Sequence, residues 1–162
     1  MKNDKYVVHI YNVCNILMHE KIKPFILLLT LACIVSCGSN RRANAFLSHI
    51  DTLYQQNPAE AIIAIDSFMS CHNDMSQHNR MLLTLYRLRA QNSVGEPFAS
   101  DSLARKVVEY FDDKGSVEEQ MSAYYVLGSV YRDLDNYPEA LADYQKAVAL
   151  ADTTDGNKNN AF

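Results

Sequence analysis

The chain has no tryptophan, and only five glycines, four prolines and four cysteines among its 162 residues. So few breakers exclude a collagen-like chain or a Pro/Gly-rich disordered one. Positive charge is also scarce, with 15 Lys and Arg against 19 Asp and Glu, a net charge of −4. A nucleic-acid reader needs a Lys/Arg-rich face, so no nucleic-acid partner is expected. No apolar run reaches the roughly 20 residues that cross a bilayer as a helix. Gly-rich phosphate loops, nucleophile elbows and paired-histidine zinc motifs are missing too. What remains is 48% hydrophobic. That suits one small domain behind an address segment and excludes a multi-domain enzyme.

The address segment comes first. Between Phe25 and Val35 lies an apolar run of 11 residues broken only by Thr30, with Lys21 and Lys23 ahead of it. A positive start, a short apolar centre and small residues before the cut form the signal-peptide pattern, read here over 1–36. Residues 1–17 do not fit that pattern, whereas Met18 would open a compact signal, so the true start lies at Met18 or Met1. Around the cut, Ile34, Val35, Ser36, Cys37 and Gly38 resemble the lipobox of bacterial lipoproteins. The resemblance implies that the Cys37 thiol receives a diacylglyceryl group, that cleavage falls before it, and that the new amine is acylated. Two or three acyl chains hold a protein stably where one gives marginal binding. The alternative is an ordinary secretory signal with Cys37 incidental. Cys33 is a lesser candidate, because Thr30 stands where the aliphatic residue belongs.

Processing would remove Cys14 and Cys33 and consume Cys37, leaving Cys71 as the one thiol and no intramolecular disulfide. From Cys37 onward the chain has 11 Lys and Arg against 17 Asp and Glu, a net −6. Such an acidic body would be held off an anionic lipid surface. Residues 37–44 read as a lipidated tether. Lipoproteins displayed on the surface of some Gram-negative cells carry acidic residues just after the cysteine. Those are missing here, so the expected location is the bacterial cell envelope, lipid-anchored and facing the periplasm.

Beyond the tether, over 45–153, apolar residues recur at intervals of three and four, the helical period. Ala123, Tyr124, Leu127, Gly128, Tyr131 and Leu134 share one face. Tyr137, Ala140, Leu141, Tyr144, Ala147, Val148 and Ala151 share another. Asp135 and Asn136 between them mark a turn, and Pro138 stands where a first helical turn tolerates it. Gly128 costs about 1 kcal/mol in mid-helix relative to Ala. Opposite Ala140, it allows two helices to approach closely while the tyrosines fill the flanks.

Upstream the pattern repeats loosely. Asn57 to Phe68 echoes Tyr137 to Tyr144, as the second helix of a hairpin whose first helix covers about 43–55. Residues 79–92 form another first helix, and its partner begins near Asp101, capped by Ser100 or Ser102, and ends before Gly115. Taking Ala61, Ala104 and Ala140 as equivalent gives spacings of 43 and 36. The reading is all-α, six helices in three hairpins forming a solenoid behind a signal helix, with 154–162 a disordered tail or truncation point.

The spacing of Tyr124, Leu127, Gly128, Tyr131, Tyr137, Ala140, Tyr144 and Ala147 resembles the tetratricopeptide repeat, with Tyr124 where Trp is more usual. The segments Leu88–Gln91, Ser100–Leu103, Val108–Phe111 and Ala123–Leu134 widen the resemblance to tetratricopeptide lipoproteins of Gram-negative envelopes. Members are often longer. The resemblance implies a non-catalytic scaffold or adaptor that binds a protein or peptide segment on its concave side. It places Ser122, Tyr125, Ser129, Arg132 and Asp133 on that side, with Tyr86 and Arg89 continuing the groove from the preceding hairpin. The alternative is the N-terminal sensory part of a longer membrane-bound signalling protein.

Other chemistry reads as ordinary. Cys71, His72 and His78 match no zinc spacing, and the carboxylate pairs at Asp112/Asp113, Glu118/Glu119 and Asp133/Asp135 stand near helix ends. No catalytic residue, metal, cofactor or small-molecule substrate is expected.

Overall fold

The computed structural model describes residues 40–159, with side chains through Thr153. The signal peptide over 1–36 and the lipidation site Cys37 lie outside the described residues. Among the described residues there are six α-helices and no strand: α1 over 40–56, α2 Pro58–Cys71, α3 Gln77–Val94, α4 Ser102–Lys114, α5 Val117–Asp133 and α6 Tyr137–Asn159. They pair in chain order as three hairpins, the all-α hairpin solenoid that the spacing predicts. From Arg42 onward the described residues form one compact unit.

Local chemistry sets the boundaries. Asn57 caps α2 by accepting from the Glu60 backbone N–H at 3.2 Å, and Pro58 follows where its missing N–H costs nothing. Ser76 caps α3 in the same way. Ser116 and Glu119 make a reciprocal capping box that starts α5 at Val117. Gly95 ends α3 with φ +73°, and the N–H groups of Gly95 and Glu96 close back on Asn92 and Gln91. At the cap of α4 stands Asp101, whose side chain makes no capping bond; the Ser100 hydroxyl accepts from Ser102 N–H instead.

Two apolar clusters meet in α3. The first joins α1, α2 and α3 through Ala43, Ile50, Ile65 and Leu83, with Phe46 stacked on Phe68 at 4.0 Å. The second joins α3, α4 and α5 through Leu85, Leu88, Val107, Phe111, Val126 and Val130. In α6, Ala140 and Ala147 bury against α5. Ala61, Ala104 and Ala140 are all buried, so the three second helices use a small residue at the same place.

Three expectations change. Residues 40–44, assigned to the tether, are helical, and Ala43 is fully buried, because one more apolar contact is available a turn before Phe46 and Leu47. The boundary at 153 falls inside α6, which is helical through Asn159. Of the α6 face expected to pack, only the alanine edge is covered. Tyr137, Leu141 and Val148 are about 60% exposed, because α5 reaches one side of that face and no described helix reaches the other.

Candidate partner-binding groove

The close approach of α5 and α6 builds the end of the molecule. A Cβ at Gly128 would lie 2.8 Å from Tyr144 Cδ1 and 3.1 Å from the Ala140 carbonyl oxygen. Only glycine lets the Tyr144 ring lie flat across the helix. Its hydroxyl donates to Ser129 Oγ at 3.1 Å, and Ser129 in turn donates to the Tyr125 carbonyl at 3.0 Å. The Tyr125 ring then tilts against Tyr144 with centroids 5.7 Å apart, and half of Tyr125 stays exposed.

This arrangement forms one wall of a groove of about 420 Å³. Met121, Ser122 and Tyr125 line it from α5, and Tyr144, Ala147, Val148 and Ala151 from α6. Tyr54 of α1 and Arg89 of α3 close the far side. The Arg89 guanidinium lies 4.7 Å from the Tyr54 ring centre and 5.4 Å from that of Tyr86, a cation resting against an edge-on pair of rings whose centres are 6.2 Å apart. Tyr86 is fixed by donating to Asp51 Oδ1 at 2.9 Å. Burial, then that hydrogen bond, pushes its phenol up to about 12. It remains a neutral donor at ordinary pH.

The seven residues assigned to a binding surface therefore divide. Ser122, Tyr125 and Arg89 line the groove, and Tyr86 supports Arg89. Ser129 is fully buried inside the hairpin, its hydroxyl engaged with Tyr125 and Tyr144. Ser129 follows Tyr125 by one turn of α5, yet the Tyr144 ring covers it. Asp133 accepts from Phe98 N–H at 3.3 Å, and Arg132 bonds Asp133 at 2.8 Å and Asn92 at 3.1 Å. These two tie α5 to α3 and to the α3–α4 loop, outside the groove lining. Tyr54, Met121, Val148 and Ala151 also line the groove, and the sequence reading did not assign them to a binding surface. A signal for the last two was present, since they continue the α6 spacing; Tyr54 had none, because α1 carries the loosest version of the pattern.

Leu127, Gly128, Ala140 and Ala147 are buried, while Tyr124, Tyr131 and Tyr144 are half-buried rather than full core. Tyr124 donates to Asp112 at 2.7 Å, and burial with that bond raises its phenol to about 12. It stands in a second cleft between α4 and α6 of about 610 Å³. There Lys146 lies 4.8 Å over the Tyr124 ring and 3.4 Å from Asp143. Burial raises the Asp143 carboxyl despite Lys146. The residues weighed for zinc are apart. His72 stacks on Phe68, and His78 pairs with Glu119 at 3.2 Å. Among the described residues no group of three such side chains gathers to hold a metal.

Residues 122–153 match the family model of the tetratricopeptide repeat. The match covers most of α5 and the described side chains of α6, the hairpin whose small-residue contact is described above. No curated protein and no solved structure matches the chain. Tetratricopeptide repeats serve as protein-interaction modules, typically without catalysis.

Proposed function

We propose that the protein is a membrane-anchored, non-catalytic scaffold that holds a protein or peptide segment in the groove bounded by α1, α3, α5 and α6. The observation that carries this reading is Tyr125, a half-exposed aromatic beside an apolar wall. Exposed tyrosine is a frequent anchor at interfaces, amphipathic and cheap to order.

Selecting a displayed library of random peptides on the purified protein tests the groove. Sequences enriched by the native protein should be lost on Tyr125→Asp, with helicity retained by circular dichroism. Equal recovery on both proteins would refute the assignment. The anchor is a separate part of the proposal: it rests on the lipobox resemblance around Cys37 and would hold the protein facing the periplasm. Labelled palmitate should enter the native chain, and Cys37→Ser should move it from the membrane to the soluble fraction. Unchanged fractionation would remove the anchor and leave the groove reading intact.

A further inference from the structure

The groove and the uncovered face of α6 are one continuous surface, and together they constrain the occupant. Tyr137, Leu141, Tyr144, Val148 and Ala151 follow one another at intervals of 4, 3, 4 and 3. On an α-helix this puts them in a single stripe about 21 Å long. Tyr137, Leu141 and Val148 are its exposed members, and Tyr144, Val148 and Ala151 pass into the groove.

Two physical conditions follow. The walls are helices, whose own backbone groups are already bonded along the helix, so they offer an incoming chain no ladder of donors and acceptors. An extended segment laid there would have to pair its N–H and C=O groups with side chains or water. A helix brings its backbone bonds with it, and a 4-3 stripe accepts another such stripe by knobs-into-holes packing. The second condition concerns charge. Arg89 is the ionic group in the groove lining. Among the described residues its guanidinium makes ring contacts and no carboxylate pairs with it. Covering it with apolar surface alone would strand a cation with five N–H donors.

Resting on the proposed partner-binding groove, we infer that the occupant is an amphipathic helix of a partner protein, whose apolar 4-3 stripe lies along α6 and α5 and which carries an acidic side chain to Arg89. The aromatic pair Tyr54 and Tyr86 holds the guanidinium in place, so its fork is presented with little ordering cost.

The test uses a fluorescein-labelled synthetic helix of about four to six turns, with leucines in a 4-3 stripe and glutamates along both edges of the stripe. Matched peptides replace the glutamates by glutamine, or place two prolines in the stripe. Fluorescence anisotropy against the native protein should show the glutamate helix binding at least about tenfold more tightly than the glutamine one. Arg89→Gln should erase that preference, so that the two helices bind the variant with equal affinity. Val148→Asp should weaken both helices by at least about tenfold, with folding checked by circular dichroism.

Equal affinity for the glutamate and glutamine helices would overturn the acidic contact, and equal affinity for the proline-broken peptide would overturn the helix. In both cases Tyr125-dependent library binding could persist, so the groove reading would survive. A native protein that sediments as a dimer, with Val148→Asp restoring the monomer, would make a second copy the occupant and refute the inference. Failure of the glutamate helix to bind would refute it as well. Loss of library selection together with it would remove both readings.

Discussion

The first and last hairpins bury their helices by opposite means. In α5 and α6 the contact is made of small residues, with Gly128 against the Ala140 carbonyl and Tyr144 laid across the gap. In α1 and α2 it is made of large ones: Phe46 stacks on Phe68, Phe68 on His72 at 4.1 Å, and Ile50 and Ile65 are fully buried beneath. The family match falls on the last hairpin alone. A packed helical hairpin is thus reached without the motif. What the two share is a cap and an alanine at the helix crossing, Asn57 with Ala61 and Asn136 with Ala140. Each cap residue's carbonyl takes the alanine's N–H at 3.0 Å. The repeat pattern therefore records one solution to close packing, and its loss upstream does not mean loss of the fold.

That contrast can be broken most strongly in the first hairpin. Ile65→Ala removes a fully buried side chain at the centre of the α1–α2–α3 cluster and should cost about 2–5 kcal/mol. Urea unfolding would measure the loss, and amide exchange should rise first in α1 and α2. A cost below about 1 kcal/mol would mean that the aromatic stack, and not the isoleucine layer, holds the hairpin. In the last hairpin the revealing change is an addition. Gly128→Ala improves helix propensity by about 1 kcal/mol, yet its Cβ meets a ring and a backbone carbonyl at 2.8 and 3.1 Å. The ring can swing away only by giving up the bond to Ser129, and the carbonyl cannot move alone. A net loss of about 1–3 kcal/mol is expected from overpacking. A gain in stability would show that the approach is looser than these distances imply.

How much was legible follows from the same contrast. Glycine in mid-helix opposite alanine has few explanations other than close approach, so the last hairpin could be read residue by residue. Asn57 and Pro58 announce a helix start by elementary capping chemistry, so α2 was also legible. The start of α1 was not, because Arg41 and Arg42 make residues 37–44 look like a polar tether, and burial of Ala43 depends on α3 reaching it. At the site, helix geometry alone brought Ser122 and Tyr125 to one surface. It could not show that Tyr144 lies over Ser129, nor that Arg132 and Asp133 are engaged with Asn92 and Phe98. Those facts depend on rotamers and on neighbours far away in sequence. The exposed half of the α6 stripe was misread for a related reason, since spacing shows which residues share a face and not whether a neighbour covers it.

The hairpins can be compared next through one phenol each. Tyr86 donates to Asp51 and Tyr124 to Asp112, and in each case burial first and the carboxylate second raise the phenol to about 12. A raised pKa means that the folded state keeps its proton where the unfolded chain, near 10, has begun to lose it. The associated stability is fully present below pH 10 and is lost as pH rises from 10 towards 12. Absorbance at 295 nm should therefore show a late-ionising group of tyrosines that includes these two, joined by Tyr131, raised by burial, and Tyr137, raised by its bond to Asp135. Tyr124→Phe should remove one of them and make unfolding of the last hairpin less steep in that range. Ionisation of all ten tyrosines in one step near pH 10 would contradict both assignments.

The smallest effect distinguishes two turns. Both α3 and α5 end with a residue in the left-handed region, Gly95 at φ +73° and Asp135 at φ +58°. In each, that residue's own N–H and the following one fold back on the helix, to Asn92 and Gln91 in the first and to Arg132 and Tyr131 in the second. Glycine accepts this conformation freely, whereas a side chain costs about 1 kcal/mol, less for aspartate, which tolerates it better than most. Gly95 has open space around it, so Gly95→Ala should lose about 1 kcal/mol from backbone strain alone. Asp135→Gly should move the other way, relieving strain while giving up the exposed bond from Tyr137 at 2.8 Å. Glycine also adds chain entropy to the unfolded state, so the net gain should be no more than about 0.5 kcal/mol. Chemical denaturation of the two variants side by side would measure both. If Asp135→Gly destabilised the protein, the Tyr137 contact would outweigh the strain, and the α5–α6 turn would owe its shape to aspartate's side chain rather than to the Schellman-type bonds that it shares with Gly95.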